Sequence, residues 1–203
     1  MKEMWDKRYN ESDFAYGSEP NAFLVSNANK IPKGNVLCLA EGEGRNAIYL
    51  AKMGYKITAV DQSVVGLEKA KSLAKKQGVS IDIIAANLAD FEIQPNYWDG
   101  IVSISAHVPP DIRKKLHRQI VEQLKPNGVL ILEAFTEKQL DMEGIGGPPS
   151  AQKEMFMSLD GLKNELKGLN LSTAREVERI FNEGKYHQGP GAVVQIIAYK
   201  KNS

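Results

Sequence analysis

The chain has 203 residues, which fits one domain, and its 26 basic and 25 acidic residues leave a net charge near +1. This balance argues against a protein that binds nucleic acid through bulk charge, because such domains carry a basic excess. A single cysteine, Cys38, excludes an intramolecular disulfide and a cysteine-rich metal site, and we expect no metal. Without a signal-peptide core or a membrane-length apolar run, the composition predicts one soluble, cytoplasmic domain.

Short apolar runs alternate with helical segments through the first two thirds of the chain. In chain order, the predicted elements are a strand at 36–40, a helix at 46–53, a strand at 56–60, a helix to residue 77 capped by Ser63, strands at 80–85 and 98–105, a helix at 111–124 and a strand at 129–135. This alternation predicts stacked βαβ units and a parallel sheet.

The last third of the chain has a different pattern. A Gly/Pro-rich loop at 144–149 precedes a helix at 159–166. Two weakly alternating strands follow, at 171–181 and 192–200, and the loop 182–191 joins them. Strands connected in this way predict an antiparallel pair at one end of the sheet.

A glycine-rich turn follows the first strand. It fits the pattern G-x-G-x-x-A from Gly42 to Ala47, and Asp61 ends the second strand 19 positions after Gly42. Ligands of open α/β sheets bind beyond the carboxyl ends of the strands, where an acid can accept hydrogen bonds from ribose hydroxyls. The pattern therefore favours a nucleoside-bearing ligand over a ligand-free turn with a capping aspartate.

The charges of this turn favour one ligand over another. Glu41 and Glu43 flank Gly42 and would repel the pyrophosphate of a dinucleotide. The two carboxylates suit a ligand with a positive centre and an ammonium group, such as S-adenosylmethionine. The positive charge of Arg45 weakens this charge argument. An NAD(P)-dependent oxidoreductase remains an alternative, as does a non-catalytic module that binds S-adenosylmethionine.

Five segments resemble the motifs of class I S-adenosylmethionine-dependent methyltransferases. They are 36–51 (VLCLAEGEGRNAIYLA), 57–63 (ITAVDQS), 86–91 (ANLADF), 98–105 and 124–132 (LKPNGVLIL). Aromatic residues between positions 5 and 23, together with segments 146–149 and 183–187, resemble a small bacterial subgroup akin to tellurite-resistance and thiopurine methyltransferases.

The resemblance implies a single-domain α/β fold, a Rossmann-like doubly wound sheet of seven strands, mostly parallel with an antiparallel last strand. Residues 1–34 would form an N-terminal lid, residues 35–135 the cofactor-binding core, and residues 136–203 the substrate-side elements. Tyr16 and Phe23 are the expected lid contacts.

The resemblance also implies a set of cofactor-binding residues. They are Ala40, Glu41, Gly42, Glu43, Gly44, Asn46, Asp61, Gln62, Ser63, Asn87, Leu88, Ala89, Ser105 and Tyr16. Ala40 to Gly44 would line the methionine portion, and Asp61 would hold the ribose hydroxyls. Asn87 and Leu88 would bracket the adenine, and Ser105 would lie under the sulfonium. The family usually has an acid at position 38 and a glycine at position 40, so Glu41 is the candidate to replace the acid missing at Cys38.

Three residues are candidates for a catalytic role. His107 follows the fourth strand, and a backbone-bonded loop histidine is the alternative reading. His187 is predicted in the loop before the last strand, near the same mouth. Glu133, within the fifth strand, either faces the pocket or is an ion-paired structural acid. His117 lies inside a helix and is expected to be a surface or structural residue.

These features predict methyl transfer to a small-molecule acceptor, with S-adenosylhomocysteine as the product. The resemblance favours a soft nucleophile, such as sulfur, selenium or tellurium. We expect no nucleic-acid or membrane partner, and either a monomer or a homodimer.

Overall fold

A seven-stranded sheet forms the centre of the computed structural model, which describes residues 2–202. The strands are β1 (Asn35–Leu39), β2 (Lys56–Asp61), β3 (Asp82–Ala85), β4 (Trp98–Ile104), β5 (Leu124–Phe135), β6 (Leu169–Glu183) and β7 (His187–Lys200). The α-helices are α1 (Lys2–Tyr9), α2 (Ala22–Asn27), α3 (Arg45–Lys52), α4 (Val64–Lys76), α5 (Pro110–Gln123) and α6 (Leu159–Glu165). Short 3₁₀ helices span Ala28–Lys30, Glu137–Asp141 and Ser150–Met155. The predicted domain limits, residues 1 and 203, lie outside the described residues.

The strand order is β3-β2-β1-β4-β5-β7-β6. The first five strands are parallel, and β7 runs antiparallel to both β5 and β6. The predicted doubly wound α/β fold is therefore confirmed. The order reverses direction between β1 and β4, which opens a crevice at the carboxyl ends of these two strands.

Apolar clusters cover both faces of the sheet, which explains why β1 reads as a continuous apolar run. Val36 and Cys38 pack into the cluster under α3 and α4, whereas Leu37 and Leu39 pack into the cluster under α5 and α6. Cys38 is fully buried, and burial raises the pKa of its thiol well above the ordinary value. None of the helices in residues 2–202 is long and apolar enough to cross a membrane.

The β6–β7 hairpin differs from the prediction. The loop expected at 182–191 is a short turn, because β6 extends to Glu183 and β7 begins at His187, its direct partner. Gly184 has a φ of +66°, which makes this tight reversal possible. His187 is consequently a strand residue, and the prediction of a loop histidine is wrong.

The N-terminal segment packs against this hairpin turn. The backbone N–H of Lys185 donates to the Ala15 carbonyl at 2.9 Å, and the Lys185 ammonium pairs with Glu11 at 2.9 Å. On its other side, the Ala15 N–H donates to the Glu43 carboxylate at 2.7 Å. The segment therefore connects the turn to the glycine-rich loop after β1.

Gly184→Ala should detach this segment from the turn. A Cβ at Gly184 would collide with the Gly17 backbone, whereas one at Gly78, whose φ of +73° is similar, would meet nothing within 4 Å. Both substitutions carry a left-handed backbone cost on the order of 1–2 kcal/mol. Only Gly184→Ala should lower the free energy of unfolding in urea by more than this cost. Only this variant should also show faster amide hydrogen exchange in residues 10–20. Equal unfolding and exchange in the Gly184→Ala and Gly78→Ala variants would mean that contact between the N-terminal segment and the turn does not stabilise the fold.

Candidate functional site

A cavity of about 470 Å³ lies at the carboxyl ends of β1 and β4. Its walls come from α1, the loops after β1 and β4, the segment 145–155 and the β6–β7 turn. A shallower depression of about 680 Å³ lies along α4 and residues 78–81, at the amino end of β3. Because α/β sheets bind ligands at the carboxyl ends of their strands, the first cavity is the candidate site.

Strained backbone shapes the cavity where the two strands end. Ala40 follows β1 with a φ of 50°, and Ser105 follows β4 with a φ of 55°. Left-handed conformations of non-glycine residues cost on the order of 1–2 kcal/mol each and concentrate at functional sites. The Ser105 N–H donates to the Glu133 carbonyl at 2.7 Å, which holds the turn, and Ser105 lines the cavity as predicted.

Glu41 brings a buried carboxylate to the cavity wall. Its Oε1 accepts the N–H groups of Asn46 at 3.0 Å and Ala47 at 2.8 Å, at the start of α3. No hydrogen bond among the described residues reaches Oε2. Burial raises the pKa of Glu41 to about 7, against the lowering effect of the two N–H donors. The residue is therefore suited to a cationic ligand that would restore its charge.

Asp61 ends β2 and is also buried. Its two carboxylate oxygens accept the N–H groups of Gly42 at 2.9 Å and Ser63 at 2.8 Å. Burial raises its pKa, and these N–H donors lower it. Each oxygen keeps a free lone pair, which a ribose hydroxyl can use. Tyr9 packs against the glycine-rich turn that bonds to Asp61. A Cβ placed on Gly42 would lie 2.5 Å from the Tyr9 hydroxyl oxygen.

Two predicted cofactor residues are engaged elsewhere. Glu43 pairs with the Lys69 ammonium at 2.5 Å and accepts the Ala15 N–H, so its charge is neutralised. The Ser63 hydroxyl caps α4 by accepting the Gly66 N–H at 3.1 Å, and it donates to Asp6 at 2.6 Å. Both side chains hold the N-terminal segment and α4 in place, so neither is free to bind a ligand.

The remaining predicted cofactor residues divide into two groups. Asn46 and Tyr16 line the cavity. Outside its lining are Ala40, Gly42, Gly44, Asp61, Gln62 and the segment 87–89. The Asn87 side chain accepts the Ala89 N–H at 3.1 Å within its own turn. Gly44 has a φ of +86° where it begins α3. Phe23, the other residue expected to contact the ligand from the lid, belongs to α2. Its side chain packs in the core and does not line the cavity.

His107 lines the cavity but both of its ring nitrogens are used. Nδ1 lies 3.0 Å from the Met155 carbonyl, and Nε2 accepts the Phe135 N–H at 3.1 Å. These partners assign the proton to Nδ1. Burial lowers the pKa of His107 to about 4. The geometry therefore matches the backbone-bonded reading and does not favour a general base.

His187 has the opposite arrangement. No hydrogen bond among the described residues reaches either ring nitrogen, and its buried Nδ1 lies 3.6 Å from a Glu183 oxygen. Burial lowers the pKa of His187, so the ring is neutral near pH 7. The ring packs against Tyr16, with centroids 4.5 Å apart, and lines the cavity. With Nδ1 on the Glu183 side, Nε2 is the nitrogen available to a ligand.

Glu133 does not face the cavity. Its carboxylate is almost fully buried and accepts three donors, Asn21 at 2.7 Å, Arg179 at 2.6 Å and Gln195 at 2.7 Å. With 1% of its surface exposed and no place in the cavity lining, Glu133 is out of reach of a substrate. Of the two readings of Glu133, the structure supports the ion-paired structural acid, and the pocket-facing reading is wrong.

An ion-pair cluster next to His187 was not found by sequence reasoning. The Glu183 carboxylate pairs with Arg45 at 2.6 Å and with Arg179 at 2.7 Å. Burial acts to raise the pKa of Glu183, but contact with His187 and the two guanidinium groups lowers it far more. The signal in the sequence was weak, because Arg179 and Glu183 lie on an alternating edge strand that reads as solvent-exposed.

Comparisons with known proteins agree with this architecture. The family model described as a methyltransferase domain matches residues 36–128. The uncharacterized methyltransferase YodH of Bacillus subtilis is 29% identical over 134 residues, which cover 66% of this chain and 54% of that protein. The chain spans about half the length of the first curated relatives it matches.

Two solved structures have the same fold. TehB from Haemophilus influenzae matches with a TM-score of 0.73 and 20% identity, over 98% of this chain and 67% of that chain. The N-methyltransferase NodS from Bradyrhizobium japonicum, in complex with S-adenosyl-L-homocysteine, matches with a TM-score of 0.68 and 13% identity, over 99% of this chain and 98% of that chain.

Residues 36–128 are therefore similar to a methyltransferase domain, and the chain has the fold of solved methyltransferase structures. This match supports the predicted methyltransferase class, and S-adenosylmethionine as the cofactor stays a prediction for this chain. At 20% identity, the likeness to TehB shows the fold alone, so the predicted subgroup and acceptor remain predictions.

Glu41→Gln should stabilise the ligand-free protein at neutral and higher pH. The pKa of Glu41 is about 7 in the folded protein, above the ordinary 4.5, so the ionised carboxylate destabilises the fold. This destabilisation is absent below pH 4.5 and complete above pH 7. The amide oxygen still accepts both N–H groups. We expect a gain of about 2–3 kcal/mol in urea unfolding at pH 8 and little at pH 4.5. Glu92→Gln, at an exposed position, should give no such gain, and a pH-independent effect of Glu41→Gln would contradict the argument.

Proposed function

We propose that this protein transfers the methyl group of S-adenosylmethionine to a protonated nucleophile on a small-molecule acceptor, with His187 as the general base. The observation that supports this most directly is one cavity with two unsatisfied groups. Glu41 offers a free carboxylate oxygen, and His187 offers a free ring nitrogen. The Glu41 oxygen could bind the cationic end of the cofactor, and the His187 nitrogen could accept the proton of the acceptor.

The resemblance assigns parts of this cofactor to residues that line the cavity and to residues beside it. Glu41 would hold the amino group, in place of the acid missing at Cys38, and Asp61 would hold the ribose hydroxyls. Gln62, Asn87 and Leu88 would border the adenine, and Tyr9 would cover the adenosine as part of a lid formed by the N-terminal segment. The bound cofactor supplies an activated methyl group on its sulfonium, so alignment provides most of the rate.

The acceptor needs a base when its nucleophile carries a proton. Nε2 of His187 would take this proton as the bond from the nucleophile to the methyl carbon forms. Glu183 remains ionised beside Nδ1, because Arg45 and Arg179 hold its charge, and it would stabilise the resulting imidazolium. Burial still lowers the pKa of the ring with this anion in place, and Glu183 reduces the effect of burial.

His107 has a positioning role in this proposal. Its ring connects the end of β5 at Phe135 to the 3₁₀ helix that ends at Met155, and both elements border the cavity. This connection would fix the acceptor side of the wall. The predicted catalytic role of His107 thus becomes a structural one.

A soft nucleophile fits a neutral imidazole base. A thiol has a pKa of about 8.5, close enough to that of imidazole for proton transfer near neutrality, whereas an aliphatic alcohol is far less acidic. This argument adds to the resemblance to tellurite-resistance and thiopurine methyltransferases. A thiol is therefore the first acceptor class to test, and selenium and tellurium compounds are the next.

Calorimetric titration separates the proposal from its alternatives. We expect the protein to bind S-adenosylhomocysteine and not NAD⁺, and Asp61→Ala to weaken binding by roughly 1–3 kcal/mol through the lost ribose hydrogen bonds. Asp160→Ala, at an exposed aspartate, is the control. Tight NAD⁺ binding without S-adenosylhomocysteine binding would favour an oxidoreductase. Cofactor binding without turnover on any acceptor would favour a non-catalytic module.

The pH dependence of turnover tests the role of His187. With a thiol acceptor, His187→Gln should lower kcat by about 10²–10⁴ near pH 7, and the deficit should shrink toward pH 9 as the thiolate forms without a base. His107→Gln should raise KM for the acceptor without this pH dependence. A deficit of His187→Gln that stays constant with pH would exclude the base role.

A further inference from the structure

Arg8 is a cation in the cavity wall without a carboxylate partner. It is half-buried, and within residues 2–202 no acidic oxygen lies within 4.0 Å of its guanidinium. Its one hydrogen bond goes from NH1 to the Tyr16 hydroxyl, at 2.8 Å. Glu11, the acid close enough to feel its charge, is already bonded to Lys185 at 2.9 Å and to Tyr186 at 3.3 Å.

Aromatic rings fix the guanidinium in place. Its central carbon lies 4.9 Å from the centroid of the Trp5 ring and 4.2 Å from that of Tyr186. Contacts of this kind are made through the face of the planar group and leave the N–H donors along its edges. Arginine edges of this kind recognise carboxylates and other oxyanions through paired hydrogen bonds. An arginine held so rigidly, with most of its donors unused, is a prepared anion site.

The other charges of the cavity wall place this site on the acceptor side. Arg45 is neutralised by Glu183, and Glu41 lies at the start of α3, where the proposed cofactor amino group binds. Arg8 instead contacts Tyr16, whose ring is 4.5 Å from that of His187. The Tyr16 side chain therefore links the anion site to the proposed base.

We infer that the acceptor is a small organic acid, with an anionic group held by Arg8 and an apolar body that carries the nucleophile toward His187. Trp5 and Tyr186 pack against Arg8, and the 145–149 loop adds apolar groups to the wall of the same cavity, which suits such a body. This inference rests on the proposed function, because it names the substrate class of the same site.

Binding of benzoate and its neutral isostere benzamide tests the inference. In protein saturated with S-adenosylhomocysteine, an NMR titration should show benzoate binding about tenfold or more tighter than benzamide, the difference expected for hydrogen bonds to a charged group. Arg8→Gln should remove the preference, and Arg8→Lys should keep part of it. Arg118→Gln, which removes the same charge from an exposed position on α5, should leave the preference unchanged.

Three results would overturn the inference. Equal binding of benzoate and benzamide to the unmodified protein is the first, and an equal effect of Arg118→Gln and Arg8→Gln is the second. The third is a loss of S-adenosylhomocysteine affinity in Arg8→Gln with unchanged affinity for 5′-methylthioadenosine, which lacks the amino-acid end. That result would assign Arg8 to the cofactor carboxylate. Failure of the unmodified protein to bind S-adenosylhomocysteine would instead refute the proposed function itself.

Discussion

The ion pair between Glu183 and Arg45 is the interaction on which the rest of the site depends. Arg45 begins α3 directly after the glycine-rich loop, and Glu183 ends β6 at the hairpin, so their 2.6 Å contact connects the cofactor side of the crevice to the acceptor side. Desolvation makes such buried pairs poor sources of net stability. Arg179 and Glu133 extend the cluster into the sheet, so each charge has a partner. What the cluster provides is position: it fixes the turn that precedes His187 and keeps an anion beside the Nδ1 of this histidine.

The crevice concentrates unfavourable local features that the surrounding sheet must offset. Ala40 and Ser105 have left-handed backbones at the ends of adjacent strands, and Glu41 is buried with an elevated pKa. Each of these three features lowers the stability of the ligand-free fold. A cationic ligand beside Glu41 would offset the part that comes from the buried carboxylate. The fully buried strands β1 and β4 give the rigidity that this requires. Stability and ligand binding therefore make opposite demands on Glu41.

The sequence predicts the parallel half of the molecule well because its signals are local. Apolar runs bounded by glycine give β1, β2 and β4, and the Ser63 cap begins α4 as expected. The same local reading places Asp61 at the end of β2 and Ser105 directly after β4, as the structure has them. It fails for contacts between distant segments. Glu133 meets Asn21 only after the N-terminal segment packs on the sheet, and it meets Arg179 only after the hairpin folds onto β5. The Phe135 N–H reaches His107 only across the sheet. Neither spacing nor periodicity encodes such pairings. The hairpin length was misjudged for a similar reason, since an edge strand with alternating charges resembles a loop.

The electrostatics of the cavity agree with the proposed chemistry. Methyl transfer from a sulfonium to a thiolate joins a cation and an anion into two neutral thioethers. Bringing opposite charges together is more favourable where water is excluded, and Trp5, Tyr16 and Tyr186 provide apolar walls there. The same apolar environment opposes formation of the thiolate, which is why a base with its own ionised partner is needed at that position. An anionic group on the acceptor, held by Arg8, would let binding energy from a remote part of the substrate offset the cost of entering this dry site.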